Sequence, residues 1–279
     1  MNDMGPMTVF ERPFLRLAPA ATAAALAVFG ASTAVAASQI GFQDRDVSRV
    51  ISISGSCVRC ELSGRRLAGA NFVGANFTQA TLVGSDLRGA NVVGSNFSET
   101  NLTRADLRGA ELVGSRFSGA ALVQARLDGV EARGADFSNA DLSRANLSGA
   151  ELLGARLRRA RAVDANFAGA EMSAAELVYG DFSGADFEGA ELNSARLTGG
   201  RFTRADFTDA ELLRADLRGA DLSQARGLTQ SQINSACSDS STRLPDGLTA
   251  RSCGGGRGGA PRPVAPPRPF FTVAATDVD

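Results

Sequence analysis

Several residue types that carry enzyme chemistry are missing from this chain of 279 residues. It has no histidine and no tryptophan, it has one tyrosine, and every basic residue is arginine. Without histidine the chain lacks the commonest general base and metal ligand, so a serine nucleophile has no obvious activating partner. The formal net charge of −1 argues against a simple polyanion or polycation binder. We therefore predict a non-enzymatic protein that needs no cofactor and no metal and binds no nucleic acid.

What the chain does contain is a five-residue repeat that runs without a slip from Leu62 to Leu222. Of the 33 positions at this spacing, 19 are Leu and 10 are Phe, and the residue two positions earlier is Ala in 24 cases. We call these 33 positions the centres. A helix places apolar residues three and four apart and a strand two apart, so a period of five fits neither. It is typical of a solenoid, and the glycines that often stand two after a centre favour a corner there.

The repeats, such as Ala70-Asn71-Phe72 and Ala220-Asp221-Leu222, resemble the pentapeptide-repeat family, whose motif is A(D/N)LxX. The resemblance covers residues 60–225. It implies an all-β solenoid, a right-handed quadrilateral β-helix with four pentapeptides per coil, and hence about eight coils. At a strand spacing of ~4.8 Å the rod is roughly 40 Å long. After the last repeat, Thr229 is a suitable N-cap for a short capping helix, with Leu228 and Ile233 closing the last coil.

The N-terminal segment is predicted to be a secretory signal. Arg12 and Arg16 precede a stretch of apolar and small residues, and Ala34-Val35-Ala36 matches a cleavage site. An uncleaved membrane anchor is the competing interpretation. We expect export to the periplasm or beyond, with membrane contact only through this segment. The predicted organisation is a signal peptide (1–36), an N-terminal cap (37–59), the repeats (60–225), a C-terminal cap (226–253) and a disordered Gly/Pro/Arg-rich tail (254–279).

The four cysteines fall at the two ends of the repeats. Cys57 lies on a centre and Cys60 on a small inward position, and a structural disulfide between them suits an exported protein. A redox-active pair and a zinc site are the alternatives, although no helix pattern surrounds the pair and two further ligands are lacking. Cys237 and Cys253 bracket a segment with a Pro-Asp-Gly turn, and a second disulfide is predicted there, with free thiols as the alternative.

Two outward columns are candidates for an interaction face. With four repeats per coil, every fourth repeat stacks, and glutamates then stand above one another at 111, 131, 151, 171, 191 and 211. They either pair across faces with Arg116, Arg156 and Arg196, or form an acidic stripe for a divalent cation or a basic partner. Beside them an apolar column marks a partner or dimer surface, or only reflects strand preference. The candidate residues are Glu111, Glu131, Glu151, Glu171, Glu191, Glu211, Val73, Val93, Val113, Leu153 and Leu213.

The leading hypothesis is an exported scaffold that binds an unidentified protein partner or serves an envelope structural role, with homodimerisation as a further option. One alternative is a periplasmic thiol–disulfide protein that uses Cys57 and Cys60. The other comes from the family resemblance: some cytoplasmic members mimic DNA and protect gyrase. Interspersed arginines and the predicted export signal depart from that pattern.

Overall fold

Parallel backbone pairing with a constant offset of four repeats builds this molecule. The computed structural model describes residues 55–250 and Ser252. From the pair Ser56 and Asn76 to the pair Asp206 and Arg226, the residue before each centre is bridged to its counterpart four repeats later. Four pentapeptides therefore complete each coil, and the chain is a quadrilateral β-helix. Each wall contributes one bridged residue per coil. The described residues therefore form isolated β-bridges, and none of these bridges extends into a longer strand.

The corners between walls are tight turns that recur in every repeat. At Phe72, for example, the carbonyl accepts a hydrogen bond of 2.9 Å from the backbone N–H of Ala75. Gly74, two after this centre, has φ of +66°, a left-handed conformation that glycine adopts without steric cost. The predicted corner role of these glycines is confirmed. Non-glycine residues such as Arg104 and Gln124 adopt the same conformation at φ of 59° and 58°.

The core is a stack of side chains from the centres and from the small residues two positions before them. Phe77, Phe97, Phe117 and Phe137 are fully buried and stack ring on ring, with centroids 4.7–5.1 Å apart. A second stack, of Phe167, Phe187 and Phe207, follows in another column. These phenylalanine stacks are therefore part of the core, where burial of aromatic area stabilises the coil.

Exceptions to alanine at the small inward position have local causes. The buried hydroxyl of Ser95 donates to the carbonyl of Phe72, and that of Thr100 donates to the carbonyl of Phe77 at 2.7 Å. These bonds satisfy polar groups that would otherwise be costly to bury. At Gly180, a methyl group would lie 2.5 Å from the ring of Phe182, so a bulky centre in this column requires glycine.

Helix α1 (Gln230–Ser235) lies where the next residue of the wall, one coil after Glu211, would otherwise be bridged to it. Thr229 is its N-cap and forms a capping box with Gln232, as predicted for Thr229. The Gln232 side-chain amide donates to the carbonyls of Phe207 and Ala210 at 3.0 and 2.9 Å. Ile233 is buried, and Leu228 is partly buried against the core. The chain then rejoins the rod with shifted register, at Cys237 above Asp216 and Arg243 above Asp221.

Candidate interaction face

Most Asp and Asn residues before a centre are engaged by their own turn. The side-chain oxygen accepts the backbone N–H two residues later: Asp136 accepts from Ser138 at 2.9 Å and Asn166 from Ala168 at 2.8 Å. This is an Asx turn, which a short carboxylate or amide makes with its own backbone. The bond explains why the repeat favours Asp or Asn at this position, a point that the repeat pattern alone does not reveal.

Three of these aspartates are held further by an arginine two residues on. Arg108 donates to both carboxylate oxygens of Asp106, from Nε at 2.8 Å and from a terminal nitrogen at 2.7 Å. Asp86 with Arg88, and Asp216 with Arg218, repeat this geometry. The hydrogen bond from Arg108 is the largest cause that keeps the pKa of Asp106 below its usual value. These carboxylates are therefore already paired in the folded chain.

The six glutamates form a continuous column on one wall, which we call the glutamate ladder. Each is bridged to the next, from Glu111 to Glu211. All are exposed except Glu151, which is half-buried. Within residues 55–250, none of the six accepts the backbone N–H two residues later. The ladder carboxylates thus lie outside the turn hydrogen bonding that engages the aspartates.

The ladder has few partners. Arg133, on the same wall, pairs with Glu151 and lies 3.7 Å from Glu131. Asn91 donates to Glu111 at 2.8 Å and Asn193 donates to Glu211 at 2.6 Å. The side chains of Glu171 and Glu191 make no hydrogen bond or salt bridge within the described part of the chain. The expected pairing across faces is wrong: Arg116, Arg156 and Arg196 make no salt bridge to the ladder in residues 55–250, and Arg196 instead lies 3.5 Å from Glu176 on its own wall.

The apolar column beside the ladder is present in the structure, but polar residues interrupt it. Val73, Val93 and Val113 are stacked and half-buried. Leu153 and Leu213 are 49% and 56% exposed, which makes them two of the largest exposed apolar side chains in the described region. Arg133, Ser173 and Asn193 occupy the intervening positions of the same column. The wall that carries this column and the glutamate ladder, which we call the glutamate face, is therefore acidic with separate apolar contacts.

The cysteines lie at the ends of the rod, as the sequence indicates. Cys57 and Cys60 are joined in the structure, with Cα atoms 5.2 Å apart, and both are buried. Cys237 is disulfide-bonded, and its predicted partner Cys253 lies outside the described residues. The predicted signal segment, residues 37–54 of the N-terminal cap and the predicted disordered tail also lie outside them.

Metal sites and membrane-spanning helices are the remaining features to consider. Across the described residues, no group of three or more acidic or cysteine side chains is placed to hold a metal ion. No helix in that same region has the length and apolar character needed to cross a bilayer. A shallow groove of about 320 Å³ lies on the opposite wall, between Asp141, Arg161 and Val163.

The register, the corner turns and the inward columns define a pentapeptide-type solenoid. The family model described as pentapeptide repeats matches residues 56–92, 82–119, 110–149, 150–189 and 185–224, more than half of the chain. The chain therefore belongs to the pentapeptide-repeat family, whose members fold as right-handed quadrilateral β-helices. A search of curated proteins finds no significant match.

Solved structures of pentapeptide repeat proteins are similar to parts of this chain. HetL from the cyanobacterium Nostoc, a protein involved in regulating heterocyst differentiation, is 27% identical with a TM-score of 0.45, over 69% of this chain and 90% of its own. QnrB1, a plasmid-mediated fluoroquinolone resistance protein, is 22% identical with a TM-score of 0.36, over 61% and 86%. A thylakoid-lumen protein from Arabidopsis thaliana is 24% identical with a TM-score of 0.18, over 62% and 74%.

Proposed function

We propose that this chain is an exported, non-enzymatic scaffold: a rod of about eight coils, closed by α1, whose glutamate face binds a protein partner with a basic surface. The observation that carries the proposal is the difference between its carboxylates. Asp86, Asp106 and Asp216 are each held by an arginine and by the N–H of their own turn. The ladder glutamates make no such turn bond, and the side chains of two of them make no hydrogen bond or salt bridge in the described residues.

The cost of stacking like charges supports this assignment. Neighbouring glutamates lie one coil apart, about 4.8 Å, and like charges directly opposite each other destabilise a sheet. Only Arg133 offsets this repulsion with salt bridges to the ladder in residues 55–250. A partner that brings arginine or lysine relieves the repulsion on binding and gains charge-assisted hydrogen bonds. The exposed Leu153 and Leu213 add apolar contact beside the charges.

Position-specific photocrosslinking in the native host tests this function. Val113 and Val123 are a matched pair, because both are half-buried valines that follow a centre, and they lie on opposite walls of one coil. We expect a photoreactive p-benzoylphenylalanine at Val113 to give a discrete protein adduct, and the same residue at Val123 to give none. The adduct should fall at least several-fold when Glu111, Glu131 and Glu151 are changed together to Gln. Equal adducts at both positions, or none at either, would reject the glutamate face as the docking surface.

Export has its own test, which does not depend on the partner. The mature N-terminus, determined by sequencing the protein from an envelope fraction, should begin near Ala37. A chain that is recovered intact in the cytoplasm would contradict export and would restore the cytoplasmic, gyrase-directed alternative.

We propose a structural role for the Cys57–Cys60 pair. Both residues are buried at the start of the rod, and Cys57 lies in the column continued by Phe77. A thiol–disulfide catalyst needs an accessible, activated thiolate, often at a helix N-terminus, and α1 is at the other end of the rod. Thiol titration of the exported protein should show a pair that resists mild reductant. A readily reduced, strongly oxidising pair would favour the redox alternative.

A further inference from the structure

The chain leaves the rod close to the C-terminal end of the glutamate ladder. Gln230, the first residue of α1, exchanges two hydrogen bonds with the backbone of Thr249, at 3.1 and 3.0 Å. Ser252 pairs with Ser238, which directly follows the residue stacked on Asp216. Asp216 comes one repeat after Glu211 and lies on the next wall. The C-terminal segment 254–279 therefore begins at this end of the rod, one wall away from the ladder.

The charge of the first part of this segment complements the glutamate face, whereas its last nine residues carry two aspartates, Asp277 and Asp279. Its first part, 254–270, contains Arg257, Arg262 and Arg268 and no acidic residue. The wall nearest to Ser252 alternates in sign, from Arg116 to Asp216, so an arginine there meets as much repulsion as attraction. The glutamate ladder offers six carboxylates in succession. Guanidinium groups form strong bidentate bonds to carboxylates, which favours the ladder over the neighbouring wall.

The segment also has the reach and spacing to run along the ladder. At about 3.1 Å per residue in a polyproline conformation, residues 254–279 span up to about 80 Å, whereas Glu211 to Glu111 is five coil steps, about 24 Å. From Arg257 to Arg262 is about 15 Å, close to three coil steps, and from Arg262 to Arg268 is about 19 Å, close to four. Neighbouring arginines therefore lie nearly whole multiples of the carboxylate spacing apart. Because Arg257 to Arg268 covers about seven coil steps and the ladder covers five, two of the three arginines can meet its carboxylates at once.

We propose that residues 254–279 dock in cis along the glutamate face, with two of the three arginines on the ladder at a time and the intervening apolar residues against Leu153 and Leu213. A tethered segment acts at a high effective concentration, so even weak docking covers the face until a partner with more basic contacts displaces it. The tail then competes with partners for the glutamate face, so a partner must bind the face more tightly to displace the tail. This regulatory role rests on the proposed function of the face, whereas the docking itself does not.

Photocrosslinking within the purified full chain tests the docking, with no partner present. With p-benzoylphenylalanine at Val113, we expect a link to the tryptic peptide 258–279, which stays whole because Arg262 and Arg268 precede proline. Val123 on the opposite wall is the matched control and should give at least fivefold less. Leu153, which is more exposed, serves as a second site on the glutamate face if substitution at Val113 disturbs folding. Changing the three tail arginines to Gln, or raising salt to 0.5 M, should reduce the link several-fold.

Mixing isotopically labelled and unlabelled copies separates docking in cis from docking in trans. Links confined to one isotopic form support the proposal, and links between forms overturn it in favour of a second copy. Equal yields at Val113 and Val123, or yields insensitive to the tail arginines, also overturn it. In cells, deletion of residues 254–279 should increase the partner adduct at Val113. If the face binds no partner, the intrachain link still appears; if the tail does not dock, the partner adduct is unchanged by the deletion.

Discussion

The glutamate face and the wall that carries Asp86 and Asp106 are built on the same backbone ladder, yet they use their carboxylates differently. Asp106 accepts the N–H of its own turn and two bonds from Arg108. Glu171, at the equivalent position of another wall, makes neither contact. Glu171 has one more methylene group than Asp106 and no arginine two residues later. Length alone does not prevent the turn bond, because Glu61 accepts the N–H of Ser63 at 2.8 Å. Among these two residues, therefore, Asp106 is engaged within its own turn, whereas the side chain of Glu171 is not.

A core substitution should give the largest loss in the free energy of unfolding, and the smaller losses expected on the two walls are compared with it. Phe117 stacks between Phe97 and Phe137 at 5.1 and 5.0 Å, so Phe117→Ala leaves a cavity and should destabilise the rod by about 3–5 kcal/mol. Urea unfolding followed by circular dichroism measures the loss. Ser118→Ala, at the next position on the surface, is the control and should stay within about 0.5 kcal/mol. A Phe117→Ala effect below about 1 kcal/mol would show that the stack does not hold the coils together.

Removal of a carboxylate should separate the two walls directly. Asp106→Ala removes a turn bond and a bidentate pair, and we expect a loss of about 1–2 kcal/mol in the free energy of unfolding. Glu171→Ala removes neither, and we expect a change within about 0.5 kcal/mol. The same urea titration reports both. Equal losses at the two positions would contradict the distinction between structural and available carboxylates.

The engaged aspartates also predict how stability depends on pH. Hydrogen bonds from Arg108 and from Thr208 lower the pKa of Asp106 and Asp206 in the folded chain below the ordinary value of 3.8. A lowered folded pKa contributes stability that is present above the unfolded value and is lost as pH falls through the folded pKa. The urea concentration at the midpoint of unfolding should therefore decrease as the pH falls below about 4.

Asp106→Asn is the variant that checks this pH dependence, because Asn keeps an acceptor for the turn N–H but does not titrate. Its stability should be lower than that of the parent at pH 7 and should fall less between pH 5 and pH 2.5. A variant whose pH profile runs parallel to that of the parent would mean that Asp106 does not contribute to the acid sensitivity.

A reciprocal exchange gives the smallest effect. Glu171→Asp shortens the side chain so that it can accept the N–H of Ser173, as Asp136 does from Ser138 at 2.9 Å. We expect a gain of a few tenths of a kcal/mol. Asp136→Glu should show a loss of similar size. Thermal unfolding of the two variants measured side by side should show shifts of opposite sign, and shifts of the same sign would rule out side-chain length as the cause.

The inward-facing side chains and the corners of this molecule can be predicted from sequence patterns within one repeat. A large residue every fifth position and a small one two before it, as at Leu152 and Ala150, dictate which side chains face the axis. The corner glycines and the N-cap at Thr229 depend on residues within one repeat, so they too are readable from the chain alone. The family membership rests on this short-range regularity, whereas the four-repeat coil is what the family resemblance implies and the backbone bridges show.

The contacts of the outward-facing side chains depend on neighbours that are distant in sequence. Whether a carboxylate is free depends on residues one coil away, such as Arg133 beside Glu151. The stacking pattern placed the glutamates in one column, but it wrongly paired them with arginines of the next wall. Residue type alone does not tell which contact a side chain makes, because Glu61 accepts the N–H of its own turn whereas Glu211 accepts from Asn193 of the neighbouring coil. The repeat pattern therefore indicates a solenoid and its inward columns, whereas the register of four repeats per coil follows from the family resemblance and is observed in the backbone bridges. Which carboxylates remain available is settled only in the folded rod, because it depends on contacts that form when coils stack.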